Sequence, residues 1–389
     1  MIKSVLTFIL LSSTIGCSNL KSEQQSKIVI HELPALKVNH GLFNTDEIEL
    51  IPAETIFALS KKQQNEFLTY YHQQLNLDIK PHQALANFLD TRLGNFTYYG
   101  ETFIAEKSMR LNKGNCMSLA ILTAALAKTV AIEVSYREVK TLPVFEKHDN
   151  IILSSSHVQA LVYDPTFVPN KDFFYFNKPA IVIDYFPVNT NWASKAVMKN
   201  SLLSMYYINI AAQFMIEGNL NAAFSNADLA YQYDNKSSNI TNLLAVLHRR
   251  NGDIKTAEKF YLRAIKQDKN NLNTLQNYAV FLNSQQRYEE LLLIENKIDN
   301  LYDPNPYTWL EQAYIAKSEN KLRKAEEYFE KVIAMAPYVH QAYVGLAQIY
   351  YLSGKKNKAI ITLKSGIEWT YKEDDRQRYK SKLYSLTMI

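Results

Sequence analysis

Five alanines in the second half of the chain recur at a constant spacing of 34 residues. They are Ala211, Ala245, Ala279, Ala313 and Ala347. A second set of positions lies seven residues after each alanine and consists of Gly218, Gly252, Gln286, Asn320 and Gly354. Two antiparallel helices can pack closely only where their side chains are small. The period therefore predicts a stack of helical hairpins in this half of the chain.

Other positions of the same period strengthen this prediction. Five residues after the second set, the chain has Ala223, Ala257, Leu291, Ala325 and Ala359. Trp309 lies early in the first helix of its unit, and Phe329 lies in the second helix of that unit. These features resemble the tetratricopeptide repeat, and Leu291 makes the third unit the weakest match. The resemblance implies an all-α solenoid of five repeats over residues 201–375, followed by a capping helix over residues 376–389.

The N-terminus has the composition of a bacterial secretion signal. Lys3 supplies a positive charge, a short apolar run follows, and small residues precede Cys17. This arrangement resembles the lipobox of bacterial lipoproteins, which implies that residues 1–16 are removed and that Cys17 carries lipid. Ser18 in place of Asp favours the outer membrane facing the periplasm, and residues 17–44 would form a tether. The alternative is an ordinary cleaved signal with a chance cysteine.

Residues 45–200 change their periodicity part-way along. Apolar residues recur at helical spacing up to the helix that follows Cys116, and from Ile132 onwards they alternate as in strands. Helices followed by strands predict an α+β domain with an antiparallel sheet. The predicted helices before Cys116 cover residues 60–75, 81–93 and 102–111, and the predicted strands cover residues 132–139, 150–154, 157–163 and 180–186.

Charge and cysteine content exclude two classes of protein. The chain has 43 Lys and Arg against 38 Asp and Glu, scattered without a long basic block, which gives nucleic-acid binding no support. Its two cysteines, Cys17 and Cys116, exclude a disulfide framework. Because Cys17 is the expected lipid anchor, Cys116 is expected to be a free thiol.

Cys116 lies where a glycine-containing turn leads into a helix. Asn115 is a suitable N-cap, so Cys116 is expected in the first helical turn. The unpaired N–H groups and the dipole of a helix N-terminus favour a thiolate, which is a good nucleophile. The alternative is a buried cysteine that acts as a small hydrophobic residue.

A cysteine nucleophile needs a base, and the base needs an orienting group. His157 opens a predicted strand 41 residues after Cys116, and Asp184 lies in another strand 27 residues further on. This order over residues 96–187 resembles the transglutaminase-like (papain-like cysteine) superfamily. The resemblance implies acyl transfer or amide hydrolysis, with Cys116 as nucleophile, His157 as base and Asp184 orienting the imidazole. Such chemistry requires no metal and no cofactor.

Two other residues compete for these roles. His148 lies in a polar stretch and is expected in a surface loop. Asp164 is followed by Pro-Thr, but it lies seven residues after His157 on one predicted strand. At about 3.3 Å per residue the two would be about 23 Å apart, so Asp184 is the preferred orienting residue.

The first helices of the repeats are expected to line a concave surface that binds a protein or peptide. The candidate binding residues are Asn242, Arg249, Asn273, Gln276, Tyr314 and Lys317. The alternative is that these residues form solvated helix faces. Taken together, the sequence predicts a lipid-anchored envelope protein that cuts or transfers peptide or amide bonds, or else a non-catalytic scaffold that mediates protein–protein interactions.

Overall fold

The N-terminal half combines short helices with an antiparallel sheet. The computed structural model describes residues 36–93, 97–98, 100–148, 151–172, 178–184, 194–370 and 372–388. Cys17, the expected signal and most of the expected tether therefore lie outside the described residues. The helices are a single 3₁₀ turn at His40–Leu42, then α1 (Ala53–Ile56), α2 (Lys61–Leu75), α3 (Pro81–Leu93), α4 (Ala105–Leu111) and α5 (Cys116–Thr129). The strands are β1 (Thr97–Tyr98), β2 (Lys113–Gly114), β3 (Val134–His148), β4 (Ile151–Tyr163), β5 (Ala180–Ile183) and β6 (Ser194–Val197).

Local sequence signals explain where these helices begin. Ser60 and Gln63 form a reciprocal capping box at the start of α2. Asn115 caps α5, as the sequence predicts, and its side chain accepts a hydrogen bond from the backbone N–H of Ser118. α5 is apolar on nearly every side and is buried along most of its length, so it forms the centre of this half of the molecule.

The main sheet has the strand order β5-β4-β3-β6, and every neighbouring pair is antiparallel. This confirms the predicted antiparallel sheet but corrects its strands. Residues 151–154 and 157–163 belong to one strand, β4, and His148, which was expected in a surface loop, is the last residue of β3. The alternation of apolar residues is interrupted by Ser154, Ser155 and Ser156, yet backbone pairing with β3 continues, because ladder hydrogen bonds do not depend on side-chain polarity.

The β3–β4 hairpin changes register at His157. Val139 pairs with His157, whereas the next regular pair joins Val144 to Ser155. The intervening residues of β3 therefore form an irregularity of the kind that bends strands and redirects side chains. Beyond it, the hairpin reaches the repeats, where the backbone N–H of Phe145 donates to the Tyr338 hydroxyl at 2.8 Å.

The second half consists of successive helix pairs. They are α6 (Lys199–Ile216) with α7 (Leu220–Tyr233), α8 (Ser238–Arg250) with α9 (Ile254–Gln267), α10 (Leu272–Ser284) with α11 (Tyr288–Asp299), α12 (Pro306–Ser318) with α13 (Leu322–Met335), and α14 (His340–Leu352) with α15 (Lys356–Glu368). A final helix, α16 (Glu373–Met388), packs against α15, and its Tyr379 hydroxyl bonds to His340 Nδ1 at 2.9 Å. No helix among the described residues is long and apolar enough to cross a membrane.

The repeating positions have a direct structural meaning. Four of the five alanines in the first set are buried at the helix contacts, and Ala279 is half-buried. The second set lies in the turn between the two helices of each pair, and all five residues there have positive φ. Glycine adopts this conformation without steric cost, whereas Gln286 and Asn320 adopt it despite their side chains.

The third pair departs from the others, as Leu291 suggests. α11 has no buried residue, and Leu292 and Leu293 are 58% and 69% exposed. A leucine where the other pairs have alanine is too large for the same close approach of two helices.

The last residues of the segment expected to be a tether lie against the repeats. The Phe43 ring stacks on Phe224 with a centroid separation of 3.8 Å. The carbonyl of Leu42 accepts a hydrogen bond from Asn251, and the backbone N–H of Asn44 donates to Asn221 at 3.1 Å. The chain therefore contacts the first two helix pairs before it enters the α+β region.

Candidate functional site

The structure brings Cys116, His157 and Asp184 together. Cys116 begins α5, His157 lies on β4, and Asp184 directly follows β5. Since β4 and β5 are antiparallel neighbours, the end of β5 lies beside His157. His157 Nε2 is 3.0 Å from Oδ1 and 3.1 Å from Oδ2 of Asp184, and the imidazole also interacts with the Cys116 side chain. Because Nε2 faces the carboxylate, Nδ1 is the ring nitrogen that remains for the thiol.

The surroundings of His157 favour its protonated form. Burial lowers the pKa of His157, but hydrogen-bonding and charge interactions with Asp184 and Cys116 raise it to a net value of about 10. The imidazole is therefore an imidazolium near neutral pH, held between a carboxylate and a sulfur. This arrangement suits a thiolate nucleophile with a positioned proton donor.

Two residues that the sequence did not single out support Asp184. Gln159 Nε2 donates to Asp184 Oδ2, and Arg137 Nε donates to Gln159 Oε1 at 2.6 Å. Gln159 lies two residues after His157 on β4, so both side chains are on the same face of the sheet. That two-residue spacing is the signal that points to Gln159. Arg137 is the direct cross-strand partner of Gln159, which cannot be known before the register is known.

Asp164, the other candidate for the orienting residue, stabilises a different part of the fold. Asp164 binds Lys80 Nζ at 3.0 Å and His82 Nδ1 at 3.4 Å, and it accepts hydrogen bonds from the backbone N–H and hydroxyl of Thr166. The hydroxyl hydrogen bond of Thr166 contributes most to lowering the pKa of Asp164 to about 2. Asp164 therefore fixes the chain after β4 against the start of α3.

Cys116 and His157 are deeply buried. Cys116 is 4% exposed and His157 is 1% exposed. A substrate carbonyl can contact the sulfur only if neighbouring groups move. The described residues contain no cluster of three or more His, Cys, Asp or Glu side chains arranged to hold a metal ion.

A cavity of about 900 Å³ lies between the α+β region and the first three helix pairs. Asn115 and Met117, the neighbours of Cys116, are in its wall, together with Glu138 of β3 and residues 195–198 around the end of β6. The opposite wall comes mainly from the first helices of the three pairs, α6, α8 and α10, together with the connections that precede α8 and α10.

Four of the six candidate binding residues line this cavity, namely Asn242, Arg249, Asn273 and Gln276. The other two lie in the fourth pair, outside the lining. The Tyr314 hydroxyl donates to the backbone carbonyl of Gln341, and Lys317 Nζ donates to Gln348. These two side chains therefore join α12 to α14.

Family comparison agrees with the helix pairs. Family models described as the tetratricopeptide repeat match residues 240–271 and residues 316–383. Tetratricopeptide repeats are present in this chain. The first match covers α8 and α9, and the second extends from the end of α12 into α16. Solenoids of such repeats present extended concave surfaces for binding, so this part of the chain is a scaffold for protein–protein interaction.

A curated relative is the type IV pilus assembly protein PilF of Pseudomonas aeruginosa, which is 30% identical over 131 residues. The match covers 33% of this chain and 52% of PilF, so the chain spans about half the length of that relative.

Solved structures similar to part of this chain include those of PilF, Tom70 and PilW. PilF of Pseudomonas aeruginosa has 21% identity and a TM-score of 0.30, over 49% of this chain and 87% of that chain. Yeast Tom70 has 18% identity and a TM-score of 0.32, over 48% of this chain and 40% of that chain. PilW, described as a widely conserved type IV pilus biogenesis factor, has 18% identity and a TM-score of 0.26, over 47% of this chain and 92% of that chain.

Proposed function

We propose that this chain is an interaction protein of the bacterial cell envelope whose repeats bind a protein or peptide. The observation that carries this proposal is the match of the helix pairs to tetratricopeptide-repeat models. The similarity to PilF, a type IV pilus assembly protein, supports an envelope location. The lipoprotein-like N-terminus supports a lipid anchor on Cys17, which would hold the protein at the outer membrane facing the periplasm.

Site-specific photo-crosslinking in cells tests this function. A photo-reactive residue at Gln276 faces the cavity, whereas one at Arg323 on α13, whose side chain is 94% exposed, serves as a matched surface position. We expect a discrete crosslinked protein or peptide from position 276 and none from position 323. Equal adducts at both positions, or none at either, would contradict the proposal.

A thiol acyl-transfer activity is the second candidate, and the placement of Cys116 beside the His157–Asp184 pair supports it. This site is the basis for proposing membership of the transglutaminase-like superfamily. In this reaction the Cys116 thiolate attacks the carbonyl carbon of an amide, and a C–S bond forms. His157 gives its Nδ1 proton to the departing amine as the C–N bond breaks. Water or another amine then attacks the thioester and passes its proton to His157, which releases the acyl group and restores the thiolate.

Thiol labelling with a chloroacetamide probe separates this activity from a structural cysteine. We expect His157→Ala to slow the labelling of Cys116 by roughly 100-fold, the order of effect of a positioned acid–base group. His82→Ala is the control, because it removes another buried histidine that binds Asp164 instead. Equal labelling of wild type and His157→Ala would exclude a histidine-activated thiolate.

A further inference from the structure

We propose that the cavity between α5 and the first three helix pairs is a binding site for an uncharged, extended peptide segment. This proposal rests on the proposed interaction function and deepens it, because it assigns the ligand class and the location. The α+β region supplies one wall of the site, including Asn115 and Met117, so the first three repeats and the start of the Cys116 helix form one binding site.

The walls of the cavity are rich in carboxamides. Ten Asn and Gln side chains are in its lining, and α6, α8 and α10 supply most of them. Asn277 Nδ2 donates a hydrogen bond to Asn242 Oδ1 at 3.3 Å. In contrast, no hydrogen bond joins the side chain of Asn273 or Gln276 to another described residue. A carboxamide both donates and accepts, as a peptide group does, so such a wall matches an extended backbone of any sequence.

The apolar part of the lining suits varied side chains. Four methionines contribute to it, namely Met117, Met198, Met205 and Met215. Methionine is unbranched and polarisable and adapts to ligands of different shape. Carboxamides that recognise the backbone, combined with an adaptable apolar surface, favour a peptide that is recognised by its extended conformation.

Other ligand classes fit the lining less well. None of the described lining residues is aromatic, so the site has no ring on which a sugar or a nucleobase could stack. Its charged residues nearly balance, with four basic side chains and three acidic ones. A polyanion would need a clear excess of basic groups, and a basic peptide would need an excess of acidic ones.

A hydrogen-bonded contact connects the repeats to the Cys116 helix within this site. Asn209 Nδ2 on α6 donates to Thr102 Oγ1 at 3.0 Å, and Asn115 Nδ2 donates to the same oxygen at 2.7 Å. Asn115 also caps the helix that Cys116 begins. All three side chains line the cavity, so a bound peptide lies against the residues that position the start of α5.

Selection from a peptide library tests the proposal on the full chain. The probe is a random library of decapeptides with acetylated N-termini and amidated C-termini, captured by immobilised protein and identified by mass spectrometry. The test variant is Asn273→Ala with Gln276→Ala. The matched control is Asn283→Ala, which removes an exposed carboxamide from the same helix outside the described lining.

We expect wild type and Asn283→Ala to enrich the same peptides, which contain few charged residues. The double variant should bind an enriched peptide roughly tenfold more weakly, because two carboxamide partners are lost. A thermal unfolding midpoint equal to that of wild type would establish that the double variant is folded. Absence of enrichment, enrichment of highly charged peptides, or equal binding by the double variant would overturn the proposal. If photo-crosslinking in cells still captures a partner at position 276, any of these results would overturn the peptide site but not the proposed interaction function.

Discussion

Gly114 is the position at which a single methyl group should most strongly disturb the Cys116 site. It has a φ of +153°, and a Cβ atom there would overlap Ser118 Cβ and lie 2.7 Å from Ser118 Oγ and 3.3 Å from Ser108 Oγ. Both serines are fully buried. Ser118 is held in place, because its Oγ accepts from the backbone N–H of Phe103 at 2.8 Å and its own backbone N–H binds Asn115. The neighbours therefore cannot move aside without breaking the cap of α5.

Two contributions set the magnitude for Gly114→Ala. Forcing a methyl group into a packed region costs about 1–3 kcal/mol. A backbone conformation that favours glycine adds about 1–2 kcal/mol. Gly354→Ala isolates the second contribution, because Gly354 has a φ of +73° and no atom lies within 4 Å of its ideal Cβ. We therefore expect Gly114→Ala to be more destabilising than Gly354→Ala by about 1–3 kcal/mol.

The assay is urea unfolding in a Cys17→Ser background, and the reaction of Cys116 with a thiol reagent is the signal that monitors unfolding. In this background Cys116 is the remaining cysteine, so the signal reports on the start of α5. A lower urea midpoint for Gly114→Ala than for Gly354→Ala is expected. Equal midpoints for exposure of Cys116 would show that the packing around Gly114 is not as tight as the contacts imply.

Three further predictions concern other regions. Gln286→Gly should raise the free energy of unfolding by up to about 1 kcal/mol, because Gln286 has a φ of +58°, and an unchanged or lower thermal midpoint would contradict this. Phe43→Ala should lower that free energy by about 3 kcal/mol through loss of the stacked contact with Phe224, measured by thermal unfolding; an unaltered midpoint would show that the segment is not docked. The raised pKa of His157 predicts stabilisation that is complete below pH 6.5 and is lost as the pH rises through about 10. Urea midpoints across this range should show that loss in wild type and less of it in Asp184→Asn.

The repeats were predictable because their sequence signal is local and periodic. Alanine at a fixed phase marks helix contacts, and the second set marks turns, where Gln286 and Asn320 take the same positive φ as the glycines. The cap at Asn115 was equally predictable, because an N-cap depends on residues only three positions apart.

The pairing of His157 with Asp184 also followed from the sequence, since it required only that two predicted strands be adjacent. The length of the β3–β4 hairpin did not, because pairing continues through serines that break the apolar alternation. The docking of Phe43 and the role of Arg137 depend on contacts between residues far apart in the chain. Side-chain periodicity carries no information about such contacts.

The decisive measurement is the position at which a bound peptide contacts the repeats and the start of α5. An enriched peptide that carries benzoylphenylalanine can be crosslinked to the full chain and its attachment sites mapped by mass spectrometry. We expect attachment to α8, α10 and the segment around Met117, which face one another across the cavity. Attachment confined to the fourth and fifth helix pairs would contradict this expectation.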